Sequence, residues 1–227
     1  MNRVDLASPK LRSKDLPYAE FAYTIEQRQF LEIPGPLPEV PLSQVLASRS
    51  SRRLFQPVTL EALNSLLWYS ARALEVTPAT LPRWQHRPAP SAGGKHPLDL
   101  LIFRSEGEST VPELYEATAH ALARLKLSTA EFLHHFLNNL NQVLNIEEGV
   151  IIWFAAQFDR TLAKYENGES LVWRDCGALL ATISLVAEAL DLNCCAVGIT
   201  GEPYVSQMLA SNKQVIGAGG MILGARI

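Results

Sequence analysis

The sequence predicts an α+β domain built around a central mixed sheet, and three observations lead there. Four runs rich in branched and aromatic residues read as strands: Leu98 to Arg104, Val150 to Phe158, Cys194 to Ile199 and Val215 to Arg226. Helical patterns alternate with them unevenly. The 227 residues are 48% hydrophobic and 19% charged, enough for one ordinary domain with a substantial core and too apolar for a disordered chain.

Along the chain, the first forty residues carry Pro34, Pro36 and Pro38, with Pro41 just beyond. That spacing favours an extended arm, residues 1–40, lying over the domain or a neighbouring subunit. The domain proper is assigned to residues 41–227. A short helix starts near Pro41, turns Val45 and Leu46 inward and ends around Ser48-Arg49. Thr59 is placed to cap a second helix, Leu60 to Ala71, with Leu60, Leu63, Leu66 and Leu67 as its apolar stripe. Residues 73–97 are rich in proline and lack a sustained period, and loops this long inside a compact domain are usually functional or disordered. Ser128-Thr129-Ala130-Glu131 fits a capping box flanked by Leu127 and Phe132. The helix behind it aligns Phe132, Phe136, Leu140 and Val143. Residues 176–190 form a helix apolar nearly all round, expected to be buried on every side in a core or at a subunit interface. Pro203 to Leu209 reads as a short helix.

Bulk charge narrows the function. Twenty basic against 23 acidic residues leave a net charge of -3, which gives no general electrostatic reason to bind nucleic acid or anionic lipid. No stretch reaches the roughly 20 uninterrupted apolar residues of a membrane span. Met1 to Lys14 lacks a signal-peptide core, so the expected location is cytoplasmic. Cys176, Cys194 and Cys195 imply neither a disulfide framework nor a zinc set, and no metal is expected.

The chemistry-bearing residues are few. Lys164-Tyr165 are two groups able to move a proton, ten residues ahead of Arg174-Asp175. Free Lys and Tyr titrate near ~10, so a site must dry or pair them before either becomes a useful base. Arg49, Ser51 and Arg53 alternate within Arg49-Ser50-Ser51-Arg52-Arg53-Leu54-Phe55, and converge on one anion if the backbone is extended there. Arg226 is a further phosphate partner by type. Pro90-Ser91-Ala92-Gly93-Gly94-Lys95-His96-Pro97 leads into a strand, and its glycines let backbone amides approach a ligand closely. The dinucleotide and P-loop fingerprints are missing, as is a serine-nucleophile elbow. Gly217-Ala218-Gly219-Gly220 lies within the last strand and reads as close backbone packing. His134 and His135 point in different directions from one helix, as ordinary surface residues do.

These segments carry a resemblance. Arg49 to Phe55 looks like the RRSxRxF segment that opens nitroreductase-superfamily flavoproteins, and Pro90 to Pro97 looks like their PSAxNxQP cofactor loop. Leu114-Tyr115 with His120-Ala121-Leu122 resembles the LY-x(4)-HxL stretch of the SagB-type dehydrogenase branch. Lys164-Tyr165 with Arg174-Asp175-Cys176-Gly177 resembles that branch's KY…R-D-A-G-H block. The matches fall in order over about residues 42–226.

The resemblance implies a three-layer fold with a mixed or antiparallel sheet, and a homodimer with two FMN sites at its interface. It implies that Arg49, Ser51 and Arg53 contact the flavin, while Pro90, Ser91, Ala92 and Gly94 approach it from the partner subunit. Branch members oxidise thiazolines or oxazolines in peptides to azoles, with the Lys-Tyr pair as catalytic candidate. That implies a peptide or carrier-bound heterocyclic substrate and a cyclodehydratase or synthetase as partner. An NAD(P)H-dependent nitroreductase and a catalytically degenerate scaffold subunit are the alternatives. The chain departs from the pattern at Gly94 and His96, where Asn and Gln are usual, and at Ala178, where a histidine is usual.

Overall fold

A computed structural model of the protein describes residues 7–76, 84–107, 109–146 and 148–226. The chain opens with a short strand β1 (Lys10–Leu11) and a longer β2 (Ile25–Phe30), followed by helices α1 (Leu42–Ser48) and α2 (Leu60–Ala71). A small hairpin, β3 (Glu75–Val76) and β4 (Gln85–His86), precedes the main run of strands, β5 (Leu98–Glu106), β6 (Ser109–Glu116) and β7 (Ala121–Leu125). Helix α3 (Ala130–Asn141) leads to β8 (Val150–Ala156), α4 (Phe158–Leu162) and the two-residue β9 (Tyr165–Glu166). The long helix α5 (Glu169–Ala189), β10 (Leu192–Val197), α6 (Tyr204–Met208) and β11 (Ile216–Ala225) complete it.

Seven strands form one sheet in the order β10-β11-β8-β5-β6-β7-β2. Every pairing in it is antiparallel, so of the mixed or antiparallel sheet expected, the antiparallel form is the one present. The four sequence-read strands are present; β2, β6 and β7 are additional. The arm is extended as expected, but Ile25–Phe30 is an edge strand of the central sheet.

Alternation along the central strands divides the core into two layers. Leu98, Leu100 and Ile102 face α2 and α5, packing with Leu63, Leu66, Leu67, Val172, Leu179 and Ile183. Leu101 and Phe103 face the other way, toward Phe136 and Leu140 of α3 and Val205 and Met208 of α6. Strand β8, buried at every residue, feeds both layers, as an interior strand of a covered sheet must. The glycines of β11 serve close packing: a β-carbon at Gly217 would stand 2.2 Å from the Thr200 carbonyl oxygen.

Helix ends follow local chemistry. Thr59 caps α2, its hydroxyl accepting from the Ala62 amide at 3.2 Å. At α3 the cap is Thr129, which accepts from the Glu131 amide, not Ser128 as the capping-box reading implied. Helix α5 begins seven residues before the predicted start and takes in Arg174 and Asp175. It is not buried on every side. Trp173 is 44% exposed, and Gly177 and Ala181 also face outward.

Candidate active site

The proline-rich segment delivers a tight glycine turn at the edge of the fold. Ser91 enters in extended conformation, and Ala92–Gly94 make one 3-10 turn closed by Gly94 N–H donating to the Ser91 carbonyl at 3.0 Å. Gly93 and Gly94 both adopt positive φ, 62° and 64°, a conformation that favours glycine. Space is tight at both positions as well. A β-carbon at Gly93 would lie 2.8 Å from Lys164 Cδ and 3.0 Å from its Nζ. One at Gly94 would lie 2.2 Å from Trp84 Cδ1. The glycine pair therefore threads between an ammonium-bearing chain and an indole.

Asp175 holds this turn from α5. Its carboxylate accepts from Ser91 Oγ at 2.6 Å and from the Ala92 amide at 3.1 Å. The Ser91 hydroxyl in turn accepts from the His96 amide at 2.9 Å. Burial raises the Asp175 carboxyl, and the bonds from Ser91 and Ala92 oppose the shift. His96 Nε2 sits 2.9 Å from the Gln85 carbonyl, which only accepts, so that nitrogen carries the proton. Burial, reinforced by the charge of Arg87, lowers the imidazole to about 4, leaving it neutral near pH 7. Sequence reasoning included Asp175 in a motif but gave it no role. The available signal was a carboxylate inside an apolar helix, which needs a partner when buried.

Lys164 and Tyr165 follow α4, and both are half-buried. The structure thus brings Lys164 onto the Pro90–Gly94 turn. Ala178, also half-buried, lies one turn beyond Asp175 on α5.

The arginines form a second group. Arg49, Ser51 and Arg53 are exposed in the non-helical segment between α1 and α2. Arg52 turns away from them, donating to Glu188 and to the Ser48 carbonyl. Arg226 also donates to Glu188, at 3.0 Å, and to the Leu192 carbonyl, and it pairs with Asp191. Burial works against the charge on Glu188. The hydrogen bonds from Arg52 and Ser48 and the charge of Arg226 outweigh it and hold the carboxyl below its ordinary range.

Asp175 and Glu188 lie on one helix, about 13 residues or ~20 Å apart at 1.5 Å per residue. Within one chain, then, the glycine turn and the arginines stand at opposite ends of α5. The donors present suit a phosphate-bearing cofactor of FMN size, since the exposed guanidinium forks at Arg49 and Arg53 match phosphate oxygens. Among the described residues no three His, Cys, Asp or Glu side chains gather as a metal set. The cysteines are buried, and burial pushes Cys176 up to about 11 and Cys194 to about 12, which makes them poor nucleophiles.

A family model described as the nitroreductase family matches residues 46–224. Among solved structures, one described as a candidate nitroreductase from Ralstonia eutropha is 19% identical, with a TM-score of 0.65 over 97% of this chain and 99% of its own. A second, from Anabaena variabilis and described in the same terms, is 21% identical with a TM-score of 0.63, covering 94% of this chain and 42% of that one. A third belongs to the Escherichia coli microcin synthetase McbBCD complex with truncated pro-MccB17 bound. It is 17% identical with a TM-score of 0.59, covering 88% of this chain and 78% of that one. These likenesses show a shared fold. None of the curated proteins matches the chain.

Proposed function

Because the chain belongs to the nitroreductase family, a family of flavin oxidoreductases, we propose that it is an FMN-dependent dehydrogenase. Its substrate would be a thiazoline or oxazoline in a peptide or carrier-bound natural product, oxidised to the thiazole or oxazole. The observation that carries this reading is Lys164 lying across Gly93, in the turn that the resemblance assigns to the flavin. Aromatising an azoline removes a hydride and a proton from neighbouring carbons. FMN, when bound, supplies the hydride acceptor and no base for the proton. Tyr165 or Lys164 takes that proton, the other member of the pair stabilising the charge left behind.

The remaining residues bind and orient. Arg49, Ser51 and Arg53 offer donors to the flavin, and Arg226 fixes the end of β11 beside them. The ~20 Å between the two groups supports a homodimer in which Pro90, Ser91, Ala92 and Gly94 of one subunit meet the arginines of the other. The likeness to a protein of a microcin synthetase complex supports a cyclodehydratase or synthetase partner.

A second reading, an NAD(P)H-dependent nitroreductase or flavin reductase, is favoured by the descriptions of two similar structures. Hydride transfer from a nicotinamide needs no protein base, so that reading leaves the Lys164-Tyr165 pair without a task. The visible spectrum of the purified protein, followed by anaerobic titration, tests both. Bleaching by an azoline model supports the dehydrogenase, and bleaching by NADPH alone overturns it. A protein that neither contains nor takes up FMN is the degenerate scaffold instead.

A further inference from the structure

The segment that ties the Lys164-Tyr165 pair to the glycine turn lies far from either in sequence. At the end of helix α4 the Asp159 and Thr161 carbonyls accept from the Ala163 and Lys164 amides, and the carbonyls that follow, Leu162 to Lys164, need donors from elsewhere. Residues 10–16 supply them in succession. Arg12 Nε donates to the Leu162 carbonyl at 3.1 Å, the Leu16 amide to Ala163 at 2.8 Å, and the Arg12 amide to Lys164 at 2.9 Å. Lys10 and Leu11 then pair with Glu166 and Tyr165 as a two-residue antiparallel ladder. The Arg12 guanidinium also reaches Glu166 Oε1 at 3.2 Å. One side chain thus holds the backbone before Lys164 and the carboxylate after Tyr165, bracketing the pair.

The same segment fastens the glycine turn. Asp15 pairs with Lys95 Nζ at 2.7 Å, and the Lys95 side chain is only 7% exposed beneath it. Lys95 follows Gly94 directly, and Lys164 lies over Gly93. Pair and turn are therefore tied to one strap from both sides.

We infer that residues 10–16 form a strap that positions Lys164 and Tyr165 against the glycine turn, with Arg12 as the positioning residue and Asp15 as its anchor on the turn. The catalytic consequence rests on the dehydrogenase reading above; the geometric one does not. Arg12 touches no reacting atom. It sets where the pair stands, and a displacement of about 1 Å at a reacting group can cost on the order of a hundredfold in rate.

The test uses the full chain with FMN added and three variants, Arg12→Ala, Glu166→Gln and Asp15→Asn. The rate at which Lys164 is modified by a dilute amine reagent is read by peptide mass, with exposed Lys213 as the internal reference. The expected result is a severalfold faster modification of Lys164 in Arg12→Ala and Glu166→Gln, with Lys213 unchanged. In a protein that turns over an azoline, kcat falls about tenfold or more with KM held, and Arg12→Lys, which keeps one of the two contacts, recovers part of it. Should Arg12→Ala fail to fold, Glu166→Gln and Asp15→Asn decide, since neither removes the Leu162 contact. Unchanged Lys164 reactivity in folded variants overturns the strap. Faster Lys164 modification in a protein that oxidises no azoline keeps the strap and overturns the dehydrogenase reading alone.

Discussion

Lys164 lies across Gly93 with its Cδ 2.8 Å and its Nζ 3.0 Å from the place a β-carbon would occupy. The contact links residues 71 positions apart and sets the position of the ammonium group by the absence of a side chain beneath it. Gly93→Ala is therefore expected to displace Lys164 as well as strain a backbone held at φ 62°. The strain costs roughly 1–2 kcal/mol. The displacement is expected to lower turnover by about tenfold or more, while Lys164→Ala gives a similar loss without the stability change. Equal turnover in wild type and Lys164→Ala would remove Lys164 from the mechanism.

Gly94 stands where the resembling loops carry asparagine, and the structure supplies the reason. The Trp84 indole occupies the β-carbon position, with Cδ1 at 2.2 Å and Nε1 at 2.3 Å. Asparagine tolerates positive φ better than most residues, so the obstacle to Gly94→Asn is the indole. That variant is expected to lose FMN affinity and thermal stability, and Trp84→Ala combined with Gly94→Asn to regain part of both. A double-mutant cycle measures the coupling; additive losses would show that the two positions do not compete for one space.

Asp175 is expected to matter more than its distance from the reacting atoms suggests. Asparagine retains one acceptor where the carboxylate has two, and both Ser91 and Ala92 donate to it. Asp175→Asn is expected to cost on the order of 1.5–3 kcal/mol, as for a hydrogen bond to a charged group. The loss should show in FMN affinity by fluorescence titration, with far-UV circular dichroism unchanged. Undiminished affinity would mean that the turn keeps its shape without α5.

How much of this was legible in the sequence depends on the range of the interaction. Thr59 and the Leu63, Leu66 and Leu67 stripe are local, and the structure repeats them. Strands β5, β8, β10 and β11 announce themselves by branched apolar runs. Strand β6 does not, because Pro112 and two glutamates interrupt it; Glu113 is nevertheless buried, at 3%, by pairing with Arg104. Strand β2 shows a polar outer surface and no period. Strand direction follows from which strands meet, which no local pattern encodes. The same division holds at the site. The double glycine was readable as a place of close approach, whereas its neighbours Lys164, Trp84 and Asp175 are set beside it by the fold.

Acid should weaken the fold through its buried imidazoles before the Asp99 and Glu188 carboxylates are protonated. Burial lowers His96 to about 4 and also lowers His120. His120 is held between Tyr115 at 2.8 Å and Asn64 at 2.7 Å. Both imidazoles thus titrate below the free value near 6.5, so the unfolded chain takes up protons first as pH falls. Stability is full above about pH 6.5 and declines toward pH 4. Asp99 and Glu188, held low by their cationic partners against the opposing effect of burial, add their losses below that window. Thermal unfolding followed from pH 7 to 4 should show the decline. His96→Gln, which can still donate to the Gln85 carbonyl, should make it shallower; an unaltered profile would exclude His96 as a contributor.

The exposed side of α5 decides whether the two halves of the site meet between chains. Gly177 sits in the middle of a 21-residue helix with nothing within 4 Å of where its β-carbon would stand. In a single chain, Gly177→Leu should therefore stabilise, since glycine costs a helix interior roughly 0.5–1 kcal/mol relative to alanine. If a second copy packs against Gly177 and Ala181, the added side chain stands in that contact and the sign reverses. Glycine here then reflects close approach of another backbone, and disrupting it also parts the Arg49–Arg53 segment of one subunit from the glycine turn of the other. The expected outcome is a dimer in wild type by sedimentation equilibrium, and in Gly177→Leu a monomer with normal circular dichroism and weakened FMN binding. A Gly177→Leu protein that is more stable and equally able to hold FMN would place the whole site within one chain.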